Sequence, residues 1–498
     1  MTRKVFCLTL GCDKNLVDSE ALLNVFRGRG IVAADDPDDA DIWVLNSCGF
    51  IEGARIDSAD TLRELADHKD GRMLVVCGCW SQEHGAAIAK AYPEVDLVAG
   101  VGQFERVVAA CTGQEPAPIA PDTAGPDTDA FAMAGPPRPA MATAGLPLVD
   151  LPERASYVGM INRPLLTPSH MAFVKIAEGC NCACTFCRIP LIRGRQRSRS
   201  VAEIVTEVRG MVERGVTEIQ IVSQNTSDFG RDTGQSLVEL VTALDGVTGL
   251  RRQRLLYLYA GLVKVDELRR LLDLPSVAPY LDLPVQHASP RILKAMRRPG
   301  GKAGSVGFFA ALREGRPDLV LRSTALLGFP GEEEEDVEML ADFLAAVEFD
   351  HLGTYRYSPE EGTPAAELAD PVPQEVILDR EALIGDLQTE ISQRRQLTRL
   401  GRTWDTVVDR IVAADDPEVV DLLASLGEGI WHRPGERDLL DDVCGGGGPV
   451  ALARSAHYGY DLDGLVALPG QGLAAGQWIS AEFLAVSPHD TWARTAGA

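Results

Sequence analysis

The sequence predicts an α/β protein that ends in a small β-barrel. Two long stretches alternate short apolar strand patterns with helical patterns, and the last stretch contains only short strand patterns separated by Gly, Pro and Asp. Strands that alternate with helices form parallel sheets through right-handed crossovers, and a chain of 498 residues divides into about three domains. We therefore expect an N-terminal domain over 1–113, a Pro-rich linker over 114–168, a second α/β domain over 169–398 and a β-barrel over 399–498.

The first domain is expected to be a flavodoxin-like parallel sheet. Its predicted strands and helices, in chain order, are Val5–Leu10, Leu16–Phe26, Ile42–Leu45, Glu52–Asp67, Met73–Val76 and Val95–Val98. In an open parallel sheet, ligands bind outside the carboxyl ends of the strands. Side chains that directly follow these strands are therefore candidates for function.

The stretch after the first domain has a different composition. Eight prolines and many alanines lie between Pro116 and Pro147, with almost no periodic apolar pattern. Such a segment buries too little apolar surface to offset the entropy lost on ordering. We expect mostly linker here, with short ordered pieces near Tyr157–Ile161, and a functional lid is the alternative.

The second α/β domain is expected to form a partial, (β/α)6 barrel of the TIM kind. Its predicted strands are Ala172–Ala177, Glu218–Ser223, Leu255–Tyr259, Tyr280–Pro284, Leu321–Leu327 and Leu352–Tyr357. The predicted helices between them are Val201–Arg214, Leu237–Leu244, Val265–Leu272, Pro290–Met296 and Glu334–Val347. In such barrels the chemistry lies at the carboxyl ends of the strands.

A polar helix, predicted over Val376–Leu400, leads into the last domain. Short strands are predicted there at Thr403–Val412, Pro449–Ser455, Gly464–Ala467 and Trp478–Ala485. Short strands separated by turn residues are typical of a small closed β-barrel.

Composition limits the compartment and the partners. The formal net charge is −24, so the chain as a whole repels phosphate backbones and favours a basic or uncharged partner, although a local basic groove is compatible with it. There is no apolar run of about 18 residues, and the first residues lack the pattern of a secretory signal. We therefore expect no membrane span and a cytoplasmic protein, whose eleven cysteines stay reduced and serve better as metal ligands than as disulfides.

A group of cysteines follows the first predicted barrel strand. Cys180, Cys184 and Cys187 have the spacing CxxxCxxC. Three thiolates at this spacing can bind three irons of a cubane cluster and leave the fourth iron open. The alternative is a structural zinc site, but zinc is usually closed by four ligands and no second CxxC pair follows. Cys182 lies between the ligands and is expected to be a bystander.

Three further cysteines follow the first three main strands of the N-terminal domain. Cys12, Cys48 and Cys79 each come two or three residues after a predicted strand, so they are expected to meet at one edge of the sheet and to suit a second cubane with an open iron. The alternative for each one is an inert core cysteine. Cys77 competes with Cys79 for the third place, and Cys7 lies within a strand.

The cysteine loop after the first barrel strand resembles that of the radical S-adenosylmethionine superfamily. The resemblance narrows to the methylthiotransferases on the runs Arg188-Ile189-Pro190, Arg193-Gly194, Ser198-Arg199, Gly11-Cys12, Asn46-Ser47-Cys48 and Gly78-Cys79. It favours Cys79 over Cys77 as the third ligand.

The resemblance implies two 4Fe–4S clusters, with Cys180, Cys184 and Cys187 binding one and Cys12, Cys48 and Cys79 the other. S-Adenosylmethionine would bind the open iron of the first cluster and yield a 5′-deoxyadenosyl radical, while the second cluster would present sulfur and a second S-adenosylmethionine would supply the methyl group. No catalytic side chain beyond these cysteines is implied.

Motifs at the barrel strand ends resemble the branch of methylthiotransferases that modifies a ribosomal protein, with a C-terminal barrel of the TRAM kind. They are Ile221–Gly230, Arg254–Tyr259, Tyr280–Pro290, Arg297–Gly300, Gly328–Glu332 and Tyr357–Thr363. The sequence departs from this branch at Asn225, where Asp is expected, and at Ala260-Gly261, where Pro is usual.

The same motifs contain the candidate cofactor contacts. Gln224 and Gln286 are at barrel strand ends, where polar side chains can orient a bound cofactor. Gly328 and Gly331 are candidates because glycine lets the backbone approach a ligand closely. His287 is either a proton relay or a hydrogen-bonded core histidine.

The resemblance implies methylthiolation of the β-carbon of an aspartate in small-subunit ribosomal protein twelve. An aliphatic C–H bond is not acidic enough for a side chain to deprotonate, so a radical cofactor suits this reaction. The alternative is a tRNA methylthiotransferase that acts on an adenosine. A third hypothesis, a non-catalytic iron–sulfur carrier, would not need the (β/α)6 barrel.

The charge of the last domain favours the ribosomal protein over tRNA. Residues 401–498 contain six basic and fifteen acidic side chains, a net charge of −9, whereas a barrel that grips tRNA should carry a basic face. A basic ribosomal protein is the better electrostatic match, so nucleic acid is not the expected direct substrate. The implied reaction also needs an electron donor such as a flavodoxin or ferredoxin, and a sulfur donor that the sequence does not identify.

Overall fold

The computed structural model describes residues 2–114, 148–150, 157–298, 305–417, 419–420, 431–432 and 448–497. The first sheet has strands β1 (Lys4–Thr9), β2 (Val32–Ala33), β3 (Ile42–Ser47), β4 (Met73–Gly78), β5 (Leu97–Ala99) and β6 (Leu148–Asp150). Its helices are α1 (Asp13–Gly28), α2 (Glu52–Asp67), α3 (Cys79–Ala91) and α4 (Phe104–Thr112).

The strands of this first sheet are all parallel and follow the order β2-β1-β3-β4-β5-β6. The order of the first five is that of flavodoxin-like sheets, so the predicted fold of this domain is confirmed. The short β2 has no counterpart in the sequence prediction. The edge strand β6 lies inside the range that was expected to be mostly linker.

The second α/β domain contains the following elements, in chain order: β7 (Met171–Lys175), β8 (Ala177–Glu178), α5 (Ile189–Arg193), β9 (Arg197–Ser198), α6 (Val201–Glu213), β10 (Glu218–Val222), α7 (Leu237–Asp245), β11 (Arg252–Leu255), α8 (Val265–Leu272), β12 (Val277–Asp282), α9 (Pro290–Ala295), α10 (Val306–Arg313), β13 (Val320–Leu327), α11 (Glu334–Val347), β14 (His351–Arg356) and α12 (Gln374–Leu397).

The six long strands of this domain form one parallel sheet in sequential order, β7-β10-β11-β12-β13-β14, as expected of a partial (β/α)6 barrel. β8 and β9 pair separately as a short antiparallel ribbon. The helices start where their caps predict: Ser200 and Glu203 form a capping box at the start of α6, and Ser289 caps α9.

One strand is placed differently from its prediction. The apolar pattern predicts a strand over Leu255–Tyr259, but β11 ends at Leu255 because Tyr257 takes a left-handed backbone conformation with φ +57°. The Tyr257 amide donates to Asp282 Oδ2 at 2.9 Å and not to the strand ladder. The buried Arg252-Gln253-Arg254 run forms most of the strand instead.

Helix α1 connects the two α/β domains through its packing. Its apolar side chains Val17, Ala21, Leu22, Val25 and Phe26 belong to one buried cluster with the first sheet and with residues of the second sheet such as Phe173, Leu256 and Tyr280. The first domain therefore packs against the open interior of the partial barrel.

The last domain is a closed barrel. Its strands are β15 (Thr403–Val412), β16 (Trp431–His432), β17 (Val450–Ser455), β18 (Val466–Pro469), β19 (Trp478–Val486) and β20 (Thr491–Thr495). Five strands pair in the order β15-β17-β18-β20-β19, and β19 also pairs with β15, which closes the barrel. The short β16 pairs with the last two residues of β19, Ala485 and Val486. The predicted C-terminal barrel is confirmed.

This C-terminal barrel contacts the amino ends of the second sheet. Arg454 of β17 donates to Glu218, the first residue of β10, at 2.9 Å, and the His457 carbonyl lies 2.9 Å from Nε2 of His351, the first residue of β14. The loop after β17 enters the partial barrel, where Asp463 accepts from Tyr280 at 2.6 Å. The carboxyl ends of the second sheet are at the opposite side. None of the helices among the described residues has the length and apolarity needed to cross a membrane.

Candidate metal centres at the strand ends

The three N-terminal cysteines lie at the carboxyl edge of the first sheet, as their positions in the sequence predict. Cys12 is the residue before α1, Cys48 directly follows β3, and Cys79 is the first residue of α3. Cys12 is exposed, Cys48 is half-buried and Cys79 is buried. The three-cysteine group is therefore open to solvent at Cys12 and enclosed by protein at Cys79.

Glycines bring the three loops close together. Gly11 has φ +93°, and a Cβ there would lie 2.8 Å from Cys48 Sγ. A Cβ at Gly49 would lie 2.6 Å from the Cα of Trp80, next to Cys79. Only glycine allows these close approaches, so the spacing of the three cysteines depends on both residues.

The thiols of this group interact electrostatically. Burial raises the pKa of Cys79 to about 12; Arg193 lowers it, while Cys12 and Cys48 raise it. Burial also raises the pKa of Cys48, and Cys12 adds to the shift. Without a metal these two thiols are protonated at neutral pH, and metal binding would displace their protons.

Cys77 faces the other side of the first sheet. It belongs to the apolar cluster that contains α1, and burial raises its pKa well above the ordinary value, with Cys7, Asp18, Cys79 and Cys111 as neighbours. Among the two competing cysteines, Cys79 is thus the one beside Cys12 and Cys48. Cys444, which stands alone in the sequence, lies outside the described residues.

The second group of cysteines lies in the loop between β8 and α5. Gly179, with φ +80°, opens the loop where a Cβ would lie 2.6 Å from the Arg195 carbonyl carbon. The Cys180 amide donates to the Gly194 carbonyl at 3.1 Å, and the Thr185 amide to the Met296 carbonyl at 3.1 Å. The loop is therefore fixed at both ends by backbone hydrogen bonds.

Cys184 and Cys187 are close to a common cation. Arg298 Nη1 lies 3.6 Å from Cys184 Sγ. Burial raises the pKa of Cys184 and raises that of Cys187 to about 12, and Arg298 lowers both. A guanidinium here would favour thiolates and the negative charge of a bound cluster.

Several buried polar atoms near this loop lack a hydrogen-bond partner among the described residues, and two of them follow one strand of the second sheet. They are Oε1 of Gln224 and Oδ1 of Asn225, at the carboxyl end of β10. Asn225, which stands where Asp is expected in related methylthiotransferases, donates from Nδ2 to Cys182 Sγ at 3.3 Å. Cys182 is the cysteine that was expected to be a bystander. Buried polar atoms are normally satisfied, and these two fit a polar ligand bound beside the cysteine loop.

No three His, Cys, Asp or Glu side chains in the described part of the chain lie close enough together to bind a single ion. A cubane has a different requirement, because each thiolate binds a separate iron across the cluster. The two groups of free cysteines, with backbone loops around them and a guanidinium at each, therefore fit 4Fe–4S clusters in their donor chemistry.

The candidate cofactor contacts lie at the strand ends but have different surroundings. Gln224 Nε2 donates to Glu178 Oε1 at 2.7 Å, and Glu178 lies two residues before Cys180. Gln286 is half-buried, and its backbone continues the pairing with β13 at φ +69°.

The two candidate glycines differ in what surrounds them. Gly328 has φ +79°, and a Cβ there would lie 2.5 Å from Cγ1 of Ile377, so packing against α12 already requires glycine. Gly331 has φ +75° and more space, since among the described residues only Arg291 Nη1 comes within 4 Å of its Cβ position.

His287 is a buried, hydrogen-bonded histidine. Its Nδ1 accepts from the amides of Ala288 at 2.9 Å and Ser289 at 3.0 Å, and its Nε2 lies 3.4 Å from Glu332 Oε2. These bonds make it part of the turn that starts α9, which agrees with the core interpretation.

The structure adds contacts that the sequence interpretation did not assign. Arg193 reaches from α5 to Cys79, and Lys14 Nζ lies 3.3 Å above the ring of Tyr257 from the second sheet. Each contact joins the two α/β domains, and the first spans 114 residues. The sequence interpretation included Arg193 only as part of the run Arg193-Gly194 and assigned it no contact.

Comparisons with known proteins agree with this arrangement. The model of the Uncharacterized protein family UPF0004 matches residues 4–100, and the model of the Radical SAM superfamily matches residues 174–344.

Similar proteins span most of the chain. Ribosomal protein uS12 methylthiotransferase RimO of Symbiobacterium thermophilum is 38% identical over 82% of this chain and 79% of its own length. The protein of the same name from Alkalilimnicola ehrlichii is 36% identical over 99% of this chain and 97% of its own length. The protein of that name from Aquifex aeolicus is 36% identical over 82% of this chain and 84% of its own length.

Proposed function

The chain belongs to the family of ribosomal protein uS12 methylthiotransferases named RimO, and on that premise we propose that it attaches a methylthio group to the β-carbon of an aspartate in ribosomal protein uS12. The observation that carries the proposal is the pair of three-cysteine groups, each at the carboxyl ends of a parallel sheet, with Arg193 between Cys79 of one group and Glu178 before the other. A reaction that both activates a C–H bond and delivers sulfur needs two such centres in one active site.

The protein is a radical S-adenosylmethionine methylthiotransferase that uses 4Fe–4S clusters and S-adenosylmethionine. When bound, these groups supply hydrogen abstraction from an unactivated C–H bond, together with sulfur and methyl transfer. We assign Cys180, Cys184 and Cys187 as ligands of the cluster that binds S-adenosylmethionine. Cys12, Cys48 and Cys79 are assigned as ligands of the cluster that provides sulfur.

Side chains at the barrel strand ends are proposed to orient S-adenosylmethionine. Gln224 is held by Glu178 through its amide nitrogen, which leaves the buried Oε1 directed toward a ligand donor such as an amino group. Gln286 is the second candidate, from the end of β12. Gly331 is the better glycine candidate for a close backbone approach, because Gly328 is already required by Ile377.

The substrate is proposed to be recognised partly by charge. The terminal barrel, residues 401–498, has a net charge of −9, which complements a basic ribosomal protein. The tRNA-modifying alternative is not favoured, because the relatives are named as ribosomal protein methylthiotransferases. Reduction of the clusters requires an electron donor, for which a flavodoxin or ferredoxin is proposed, and free thiols suit the reducing cytoplasm.

The function is tested by reconstituting the full chain without oxygen and counting iron, which should approach about eight per chain for two cubanes. The loaded protein then receives S-adenosylmethionine, reductant and sulfide, with either uS12 or tRNA. We expect a methylthio mass increase on one aspartate of uS12 and none on tRNA. Methylthiolated tRNA beside unmodified uS12 would contradict the proposal.

A further inference from the structure

Arg193 is a buried residue whose guanidinium contacts Cys79 of one candidate centre and Glu178, two residues before the cysteine loop of the other. It ends α5, six residues after Cys187, and its side chain is 2% exposed. Nε and Nη2 donate to Cys79 Sγ at 3.3 and 3.2 Å, although Cys79 belongs to the other domain. The helix that follows one cysteine group therefore contacts a sulfur of the other.

The remaining hydrogens of Arg193 are also bound. Nη2 donates to Asn15 Oδ1 at 2.5 Å, and Nη1 donates to Asp18 Oδ2 at 3.1 Å and Glu178 Oε1 at 2.8 Å. A guanidinium has five N–H donors, so these five bonds fix its orientation completely. The two bonds to Cys79 Sγ are thus held in place by carboxylates and an amide on both sides.

Glu178 connects Arg193 to the second cysteine group. It lies two residues before Cys180 and also accepts from Lys175 Nζ at 2.7 Å and Gln224 Nε2 at 2.7 Å. Lys175 and Arg193 both pair with Asp18 of α1. The position of Cys79 Sγ is therefore fixed relative to the Cys180–Cys187 loop through one intermediate carboxylate.

The contact at the other centre is weaker. Arg298 approaches Cys184 Sγ with one nitrogen at 3.6 Å, while its Nη2 donates to the Pro284 carbonyl at 2.8 Å. Hydrogen bonds to cluster sulfurs stabilise the reduced form, which has the more negative charge, and raise the reduction potential. Two shorter bonds should raise it more than one long bond.

We propose that Arg193 is a positioning residue for the cluster bound by Cys12, Cys48 and Cys79. Its two N–H groups hold Cys79 Sγ and make the reduction potential of that cluster more positive, while its bond to Glu178 sets the position of the sulfur relative to the other centre. The inference rests on the ligand assignment in the proposed function.

The test uses full-length C180A/C184A/C187A protein, which keeps only the N-terminal cysteine group, reconstituted with iron and sulfide. A redox titration followed by electron paramagnetic resonance gives the midpoint potential of that cluster. R193Q should shift the midpoint to a more negative value. R193K keeps the charge but loses the planar pair of donors, so it should give a smaller shift in the same direction.

R298Q is the matched control and should leave this midpoint unchanged. The complementary C12A/C48A/C79A protein keeps only the other cysteine group. In this protein R298Q should shift the midpoint potential of the cluster more than R193Q does. An unchanged midpoint in iron-loaded R193Q would overturn the inference.

If R193Q does not bind iron after reconstitution, its midpoint potential cannot be measured, and the midpoint potential of R193K decides the test. Iron binding with the expected negative shift in R193K supports the inference, and equal loss of iron or no shift overturns it. If the parent C180A/C184A/C187A protein binds no iron, the ligand assignment fails first and the inference falls with it.

Discussion

Arg193 and Arg298 each place a guanidinium against a cysteine sulfur, in different candidate centres. The cysteines themselves could be predicted, because three of them directly follow parallel strands and the other three have a recognisable spacing. The arginines could not be assigned to them, since 114 residues separate each arginine from the cysteine that it contacts. The Arg193–Cys79 pair depends on how the two α/β domains face each other, and the Arg298–Cys184 pair depends on how the second domain brings two of its loops together. No local sequence pattern contains either arrangement.

At the residue scale, the two cysteine groups should have separable roles. C184A should lower 5′-deoxyadenosine formation by more than about 100-fold, because Cys184 is a proposed direct ligand of the cluster that binds S-adenosylmethionine. C48A should retain 5′-deoxyadenosine formation and lose methylthiolation of uS12. Both products are measured by liquid chromatography and mass spectrometry in the same reaction.

The controls for these variants come from the same loops. C182A, in the loop of Cys184, should still form 5′-deoxyadenosine, and C7A, in the strand before Cys12, should retain methylthiolation. Loss of 5′-deoxyadenosine in C48A would contradict the division of roles.

At the element scale, α12 is attached to the second sheet by Asp350, which directly precedes β14. The carboxylate accepts from Arg395 Nε at 3.0 Å and Arg313 Nη2 at 2.8 Å, and it also pairs with Arg399. Burial alone raises the pKa of Asp350, but Arg399, Arg395 and Arg313 outweigh it and hold the pKa at about 2. The helix could be predicted from its polar pattern, whereas this anchor is a tertiary contact.

Removal of this charge should destabilise the protein. D350N leaves three arginines around a neutral side chain and should lower the free energy of unfolding by about 3 kcal/mol at pH 7. Thermal unfolding followed by circular dichroism checks this, with D342N on the exposed side of α11 as the control.

The pH dependence gives a second readout. Because the folded pKa of Asp350 lies below the unfolded value, its contribution is complete above about pH 4 and is lost as the pH falls toward 2. The difference between the native protein and D350N should therefore shrink over this range. A constant difference would show that Asp350 acts through packing alone.

Element boundaries show where sequence patterns stop being informative. The bounds predicted for the helices at Glu52–Asp67, Val265–Leu272 and Glu334–Val347 and for the strand at Thr403–Val412 agree with the structure. β11 is shifted because Tyr257 adopts a left-handed conformation that its apolar pattern does not reveal. Helix α10 has no counterpart among the predictions, and its aromatic Phe308 and Phe309 pack in the core of the second domain.

At the scale of the whole molecule, the described strands of the terminal barrel and the cysteine loops lie at opposite ends of the second sheet. A five-residue strand such as β10 spans roughly 17 Å, so a substrate that contacts both must extend at least that far. The sequence could predict the charge of the terminal barrel but not the end of the second sheet against which this barrel packs. That end depends on the tertiary contacts of Arg454, Tyr280 and Asp463.

This arrangement predicts a difference between long and short substrates. The KM for intact uS12 should rise roughly threefold or more as salt is raised, because surface charges are screened over about 10 Å at 0.1 M salt. A short peptide around the modified aspartate should show little salt dependence, since it cannot reach the barrel. Steady-state kinetics at several salt concentrations check both, with a neutral osmolyte as the control, and equal salt dependence would exclude docking on the barrel.

The buried carboxylates of α1 have a consequence for biosynthesis. Asp18 pairs with Lys175 and Arg193, and Glu20 pairs with Arg163, so the first domain contains acids whose partners are translated later. A nascent chain that has emerged only through α4 holds these carboxylates without their cations and without the second domain that buries them, so they face water at that stage. The bonds from Arg193 to Cys79 Sγ can form only after Arg193 has been translated, so the surroundings of the first cysteine group are complete only once part of the second domain is present.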